Sequence, residues 1–394
     1  MSASETVLAL EIGTSKMQVF VGEIVDSSRL NIVSMGMSTS SGVSKGDIVD
    51  ISKAADLAQK AIVSAEKQAS SRSNSVYLAI SGSHISGERS IGTANVSGAD
   101  GIVREQDIAR AKENAKILTP PAGRSYIHMI CCGYYLDDEY CDSPLGMQGS
   151  KLEAEYWLMH GEDEKMASAM HVVESFGMDV RQLVHSALAS ALVTSTKKQR
   201  DEGVLLLDIG AGATDYALFR GGRTLQAGTV PVGGNHVTND ISFGLQASWG
   251  DSEKLKKACG KVALTEDERQ SEIWIRGDKS IGDKPIMMSS LNTIVCARLE
   301  ELFQVVRDEL DDRLDGIPLV LLTGGVANTD GIELLANAVF GRTCERARFA
   351  DWLQPSLCNH EYATSIGLLR RALADSQGES AKPSAGWFSK FFKG

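Results

Sequence analysis

One half-chain repeat limits what this sequence can fold into more than any other feature. Residues 8–22 read LALEIGTSKMQVFVG, and from Leu205 the chain reads LLLDIGAGATDYALFRG. Each copy is an apolar run, an acid, Ile, Gly, a turn of small residues and a second apolar run. Glu11 aligns with Asp208, Gly13 with Gly210 and Ser15 with Gly212, an offset of 197 residues in a chain of 394. A period this long is no solenoid. It predicts two related α/β domains facing each other, each opening with a β-hairpin.

The hairpin has the parts of a phosphate site. Small residues in the turn let backbone N–H groups approach an anion. The acid at the strand end can hold a hydrated divalent cation beside it. Two such hairpins in opposed domains would grip a polyphosphate from both sides. A third glycine turn follows, in IPLVLLTGGV at 317–326, ahead of a helical stretch from Asp330 to Phe340. A strand ending in Gly-Gly before a helix lets a ligand lie against the backbone, which suits the nucleoside end of the same ligand. Between these lie the turn Gly233-Gly234-Asn235 and the i, i+3 pair Glu253 and Lys256 in SEKLKK. Taken alone, that pair reads as a solvated ion pair. Beside a nucleotide it reads as a ribose and adenine contact.

Composition narrows the partners. Lys and Arg number 40 against 51 Asp and Glu, a net charge of −11, which argues against a nucleic-acid binder driven by bulk charge. The seven cysteines are odd in number and form no CxxC, so they read as small buried hydrophobes in a reducing cytoplasm rather than a disulfide or zinc framework. The N-terminal residues lack the pattern of a secretory signal, and no run is apolar enough to span a bilayer.

The C-terminal segment departs from this average. Residues 374–386, ADSQGESAKPSAG, read as a flexible linker. Then come Trp387, Phe388, Ser389, Lys390, Phe391, Phe392, Lys393 and Gly394. At about 100° per residue the four aromatics share one face and the two lysines the other. That is an amphipathic helix too short to cross a membrane and suited to an anionic lipid surface. Such a short helix is marginal in water, so it is expected to fold on the lipid. Residues 381–394 carry three Lys and no acid, so the remaining 380 residues hold −11 − 3 = −14.

The two hairpins and the third glycine turn resemble the phosphate 1, phosphate 2 and adenosine motifs of the actin, Hsp70 and sugar-kinase superfamily. A narrower resemblance, to the FtsA family of bacterial division proteins, rests on Ser81-Gly82-Ser83-His84-Ile85-Ser86, Ser143-Pro144-Leu145-Gly146-Met147 and the run from Pro231 to Ile241, PVGGNHVTNDI. It implies an actin-like α/β fold, a duplicated ribonuclease H-like pair of domains in which an inserted subdomain 1C replaces actin's 1B. Subdomain 1A would take 1–83, 164–195 and 360–373; 1C would take 84–163. Subdomain 2A would take 196–240 and 316–359, and 2B 241–315. Within 1C the pattern predicts strands at 90–96 and 125–136 and a helix from Glu105 to Leu118; within 2B it predicts a helix from Asn292 to Leu314.

The resemblance implies ATP and Mg2+ as ligands. ATP would be held by Gly13, Thr14, Ser15 and Lys16, by Asp208, Gly210, Ala211, Gly212, Ala213, Thr214 and Asp215, by Gly233, Gly234 and Asn235, by Glu253 and Lys256, and by Gly324, Gly325 and Val326. Glu11 and Asp208 would hold Mg2+ through water. Glu11 stands where the first motif more usually carries Asp, and His185 where some members carry a glutamate, so at most a weak ATPase is implied. The resemblance further implies self-assembly into filaments through 1C and the 2A/2B side. It implies tethering of FtsZ by its C-terminal peptide at Arg298 and Glu301, with Cys296 where a carboxylate is common. Lipid would be bound by Trp387, Phe388, Lys390, Phe391, Phe392 and Lys393. Contact with later division proteins at the midcell inner membrane completes the expectation. A pilus-assembly module like PilM and a phosphotransferase of the same superfamily are the alternatives.

Overall fold

A computed structural model describes residues 5–26, 29–275 and 282–376. The first sheet begins with β1 (Glu5–Ile12), β2 (Lys16–Asp26) and β3 (Arg29–Thr39), a meander in which Glu11 pairs with Gln18. After α1 (Ile51–Ala69) the chain adds β4 (Ser75–Ile80), parallel to β1. It then leaves this lobe.

The excursion forms its own antiparallel sheet from β5 (Ser86–Asn95), β6 (Arg124–Leu136), β7 (Glu139–Cys141) and β8 (Lys151–Glu162), in the order β5-β8-β6-β7, with α2 (Glu105–Ala115) across it. Leu152, Ala154, Tyr156 and Leu158, every second residue of β8, face α2 and close a small core with Ala111 and Ala115. The chain returns through α3 (Asp163–Glu174) to β9 (Asp179–His185), parallel to β4, and turns into α4 (Ser186–Thr194).

The second lobe repeats the first. Its strands are β10 (Val204–Ile209), β11 (Thr214–Arg220) and β12 (Arg223–Val230), followed, after α5 (Gly234–Leu245), α6 (Trp249–Cys259) and α7 (Met288–Leu310), by β13 (Leu319–Thr323). After α8 (Ile332–Phe340) comes β14 (Thr343–Arg346), and α9 (Ala363–Ser376) ends the described chain. The first sheet orders its strands β3-β2-β1-β4-β9 and the second β12-β11-β10-β13-β14. Counted within each lobe, both are 3-2-1-4-5. The half-chain repeat of the sequence is thus a repeat of whole sheets. All six residues of β10 are buried, since α5 and α7 cover Leu205, Leu207 and Ile209 while Val204 and Leu206 face the other way. The helices α4 and α9 meet between the sheets through small residues, and a side chain on Gly367 would fall on the Ala189 backbone.

Several expected boundaries move. The α2 helix stops at Ala115 rather than Leu118 because Lys116 already closes it, before Pro120 is reached. The α7 helix starts at Met288, whose side chain is buried with Leu291, and stops at Leu310; residues 311–314 tighten into a 3-10 turn. The α8 helix starts at Ile332, because Gly331 takes a left-handed conformation. The α9 helix runs to Ser376, into the stretch read as linker from 374. The rest of that stretch and the aromatic tail lie outside the described residues. No helix among the described residues is long and apolar enough to cross a membrane. All seven cysteines are free thiols; Cys132, Cys141 and Cys344 are buried as expected, but Cys131, Cys259 and Cys296 are half-buried and Cys358 is exposed.

Candidate functional site

The β1–β2 and β10–β11 turns face each other across a cavity of about 300 Å3. Each strand pair buries its apolar side chains and so delivers its acid to the cavity: Glu11 from β1, Asp208 and Asp215 from the paired ends of β10 and β11. The turns close tightly, Gly13 N–H donating to Lys16 O at 3.0 Å and Gly210 N–H to Ala213 O at 3.0 Å. Across the gap the two turns touch. A methyl group on Gly212 would fall on the Thr14 hydroxyl and lie 2.9 Å from Lys45 Cα. The third glycine turn follows β13. Gly324 has φ of +84°, and a Cβ there would lie 2.6 Å from Asp208 Oδ1, so only glycine fits.

Most of the expected ATP residues line this one cavity: Gly13, Thr14, Ser15, Lys16, Asp208, Gly210, Ala211, Gly212, Ala213, Asp215, Gly234, Glu253, Lys256, Gly324, Gly325 and Val326. Thr214, Gly233 and Asn235 stand behind it. The Thr214 hydroxyl donates to Val232 O at 2.8 Å, Gly233 N–H to His236 Nδ1 at 3.1 Å and Asn235 N–H to Ala211 O at 2.8 Å. They hold the α5 N-terminus against the second hairpin. Glu253 and Lys256 form a partly buried pair at 2.6 Å, and Lys256 also donates to Gly234 O at 2.9 Å and to the Thr238 hydroxyl at 2.8 Å. Burial pulls the Lys256 pKa down despite its carboxylate partner. Burial pushes that of Glu253 up, but hydrogen bonds from Lys256 and Thr238 outweigh it and hold it low.

The cavity floor is acidic. Desolvation pushes the Glu11 carboxyl up to about 7, opposed by Lys16 and reinforced by Asp208. Desolvation also raises Asp208, against hydrogen bonds from Ser190 and Thr364 to its Oδ2, while Asp215 adds to the rise. Carboxylates desolvated side by side are costly unless a cation joins them. Lys16 counters the rise at both Glu11 and Asp208, but its ammonium is engaged by the Glu361 carboxylate at 2.7 Å and the Glu361 carbonyl at 2.9 Å. The donor set therefore suits a hard divalent cation. Among the described residues no three His, Cys, Asp or Glu side chains form a cage for a metal. Glu11 and Asp208 would supply one or two ligands, and phosphate oxygens and water the others, as Mg2+ prefers. When bound, the cation would neutralise phosphate charge.

Sequence reading assigned none of Glu361, Thr364, Ser190 and Ser81 to the site, although Ser81 stands in one of the family-like stretches. Lys16 and Glu361 lie 345 residues apart, so no local pattern joins them. The hydroxyls of Ser190 and Thr364 were visible only as polar residues within the small-residue helix starts SALAS and ATSIG. His185, which stands where some members of the resembled family carry a glutamate, is fully buried at the β9–α4 joint, where the chain changes direction. Arg298 and Glu301 sit apart from the cavity on α7. Arg298 is tied to Asp240 of α5 through two nitrogens and to Glu301 through a third. The residues from Trp387 to Lys393 that were expected to bind lipid lie outside the described residues.

The family model described as "Cell division protein FtsA" matches residues 205–367, and the one described as "SHS2 domain inserted in FTSA" matches residues 82–160. The chain is 30% identical over 385 residues to the cell division protein FtsA of Escherichia coli strain K12, covering 92% of this chain and 89% of that one. It is 29% identical over 390 residues to that of Bacillus subtilis strain 168, covering 97% and 87%. Among solved structures, the PilM-PilN type IV pilus biogenesis complex is similar at a TM-score of 0.65 with 18% identity, covering 93% of this chain and 98% of that one. MreB5 of Spiroplasma citri bound to ADP is similar at 0.57 with 16% identity, covering 95% and 98%. These structural likenesses are likenesses of an actin-like fold.

Proposed function

The chain belongs to the FtsA family of cell division proteins, and from that premise we propose that it binds Mg-ATP between its two lobes and assembles on the cytoplasmic face of the inner membrane. There it tethers FtsZ filaments at the division site and recruits later division proteins. The observation that carries the nucleotide reading is the pair of hairpins facing one cavity, each with its acid at the same place. The turns supply backbone donors for phosphates, Glu11 and Asp208 the carboxylates for Mg2+, and Val326, Val295 and Leu299 an apolar end for a base. MreB of Spiroplasma citri, a protein of the same fold, has been solved with ADP and with AMPPNP, which supports a nucleotide in this cleft.

Membrane attachment is assigned to residues 387–394. Filament contacts are assigned to the 1C and 2A/2B surfaces, and the FtsZ C-terminal peptide to α7 around Arg298 and Glu301. Weak tails acting together give avidity that one copy lacks, which links filament formation to lipid binding. Electron microscopy of the protein on an anionic lipid monolayer with ATP tests the whole reading. Filaments that need both ATP and lipid support it; a bare monolayer rejects it. Pull-down with the FtsZ tail peptide tests the second partner, and Arg298→Glu should weaken capture. Equal capture by the variant removes Arg298 from that site.

A further inference from the structure

The inserted sheet is linked to the second hairpin through His185 of the first lobe, and none of its residues lines the cavity. His128, on β6, accepts the backbone N–H of His185 on its Nε2 at 3.0 Å. An imidazole accepting there is neutral and carries its proton on Nδ1. Burial, with His185 and Arg371 nearby, pushes its pKa down to about 3, so it remains an acceptor across the physiological range. His185 sits at the β9–α4 joint, and its Nε2 meets the Thr229 hydroxyl at 3.1 Å and Asp215 Oδ1 at 3.2 Å. Thr229 donates to the same Oδ1 at 2.5 Å, and Ser81 donates to it at 2.9 Å. With the Thr229 proton committed to Asp215, His185 Nε2 must carry hydrogen. Its Nδ1 is buried with no hydrogen-bond partner among the described residues. The ring is therefore held by its Nε2 contacts and by its own backbone, which His128 grips. All three contacts to Asp215 fall on Oδ1, and Asp215 lines the cavity.

We propose that His128 is a positioning residue for the nucleotide site: acting through His185, it fixes the Asp215 carboxylate so that the other oxygen, Oδ2, faces the phosphates and their Mg2+. This rests on the nucleotide reading above. It makes the inserted sheet, which lends no residue to the cavity lining, a determinant of Mg-ATP affinity.

The test is calorimetry of ATP binding to the full chain, with Mg2+ and with EDTA. His128→Leu should weaken Mg-ATP binding about five- to tenfold, the scale of one lost buried hydrogen bond, and leave metal-free ATP binding unchanged. His128→Gln, whose side-chain oxygen reaches the position of Nε2, should restore it; His128→Asn, equally polar but shorter, should not. That second pair carries the test if the leucine variant fails to fold. Unchanged Mg-ATP affinity in His128→Leu and His128→Asn overturns the inference, as does equal loss with and without Mg2+. An unaltered chain that binds no ATP overturns the nucleotide reading itself. Independently of nucleotide, 15N spectra of the ligand-free protein should show His128 as the Nδ1–H tautomer; the Nε2–H form overturns the inference.

Discussion

Asp208 concentrates the chemistry of the cleft in one side chain. Its carboxylate is buried, raised in pKa, bonded on Oδ2 by Ser190 and Thr364, and approached on Oδ1 by the Gly324 turn. Asp208→Ala should lower Mg-ATP affinity in calorimetry by about tenfold or more. Unchanged affinity would remove the acid from the cation site. Its place at the cavity was readable because the acid, the glycine and the apolar runs lie within one short stretch, and because Glu11 repeats them. The residues that restrain it were not readable. Ser190 and Thr364 lie 174 residues apart and meet only because two small-residue helices cross between the sheets. Sequence periodicity reports what one element does and carries no information about which distant element it meets.

Hairpins and caps set the next scale. The two glycine turns are packed so closely at Gly212 that one added methyl must push them apart. Gly212→Ala should therefore weaken nucleotide binding, and adding Thr14→Gly should restore part of it; full affinity in Gly212→Ala would show that the turns separate freely. In the inserted sheet, Asp107 caps α2. Its carboxylate accepts from Arg104 N–H at 2.9 Å, Ser97 N–H at 3.1 Å and the Ser97 hydroxyl at 2.8 Å, with Arg110 paired beside it. The Arg104 backbone hydrogen bond, followed by those from Ser97, holds its pKa below 3.8. A depressed carboxylate stabilises the fold above its unfolded pKa and loses that stabilisation as pH falls through the folded value. Asp107→Asn should thus cost about 2 kcal/mol at neutral pH, and the gap to the parent should close below about pH 4. A constant gap in denaturation at both pH values would contradict this. The α2 helix was legible in outline from its residue pattern, but its end was not, because Lys116 closes it before Pro120. The start of β5 was not, since Ser86-Gly87-Glu88-Arg89 shows no strand alternation and is ordered by pairing with β8.

At the scale of the molecule, composition describes an acidic body, while the last residues are basic and aromatic. Deleting 387–394 should abolish flotation with anionic liposomes and leave ATP binding intact. Continued flotation would locate the lipid contact elsewhere. The duplicated architecture was legible from a single motif pair, because equal motifs half a chain apart leave few other arrangements. That both lobes share one strand order was not, because parallel neighbours are joined through long crossovers that no local pattern records. The same layout imposes a schedule on synthesis. The first lobe contains β1 and β2, yet its covering helix α9 comes from residues 363–376; Ile366, Leu368 and Leu369 are buried against Val7, Ala9 and Phe20. The lobe that leaves the ribosome first is therefore the last to be completed. Glu361 and Thr364 arrive with that helix, so a nascent chain has no finished cleft while the second lobe folds. The aromatic residues from Trp387 to Phe392 follow all of them in the sequence, so the growing chain can complete its body before they are made.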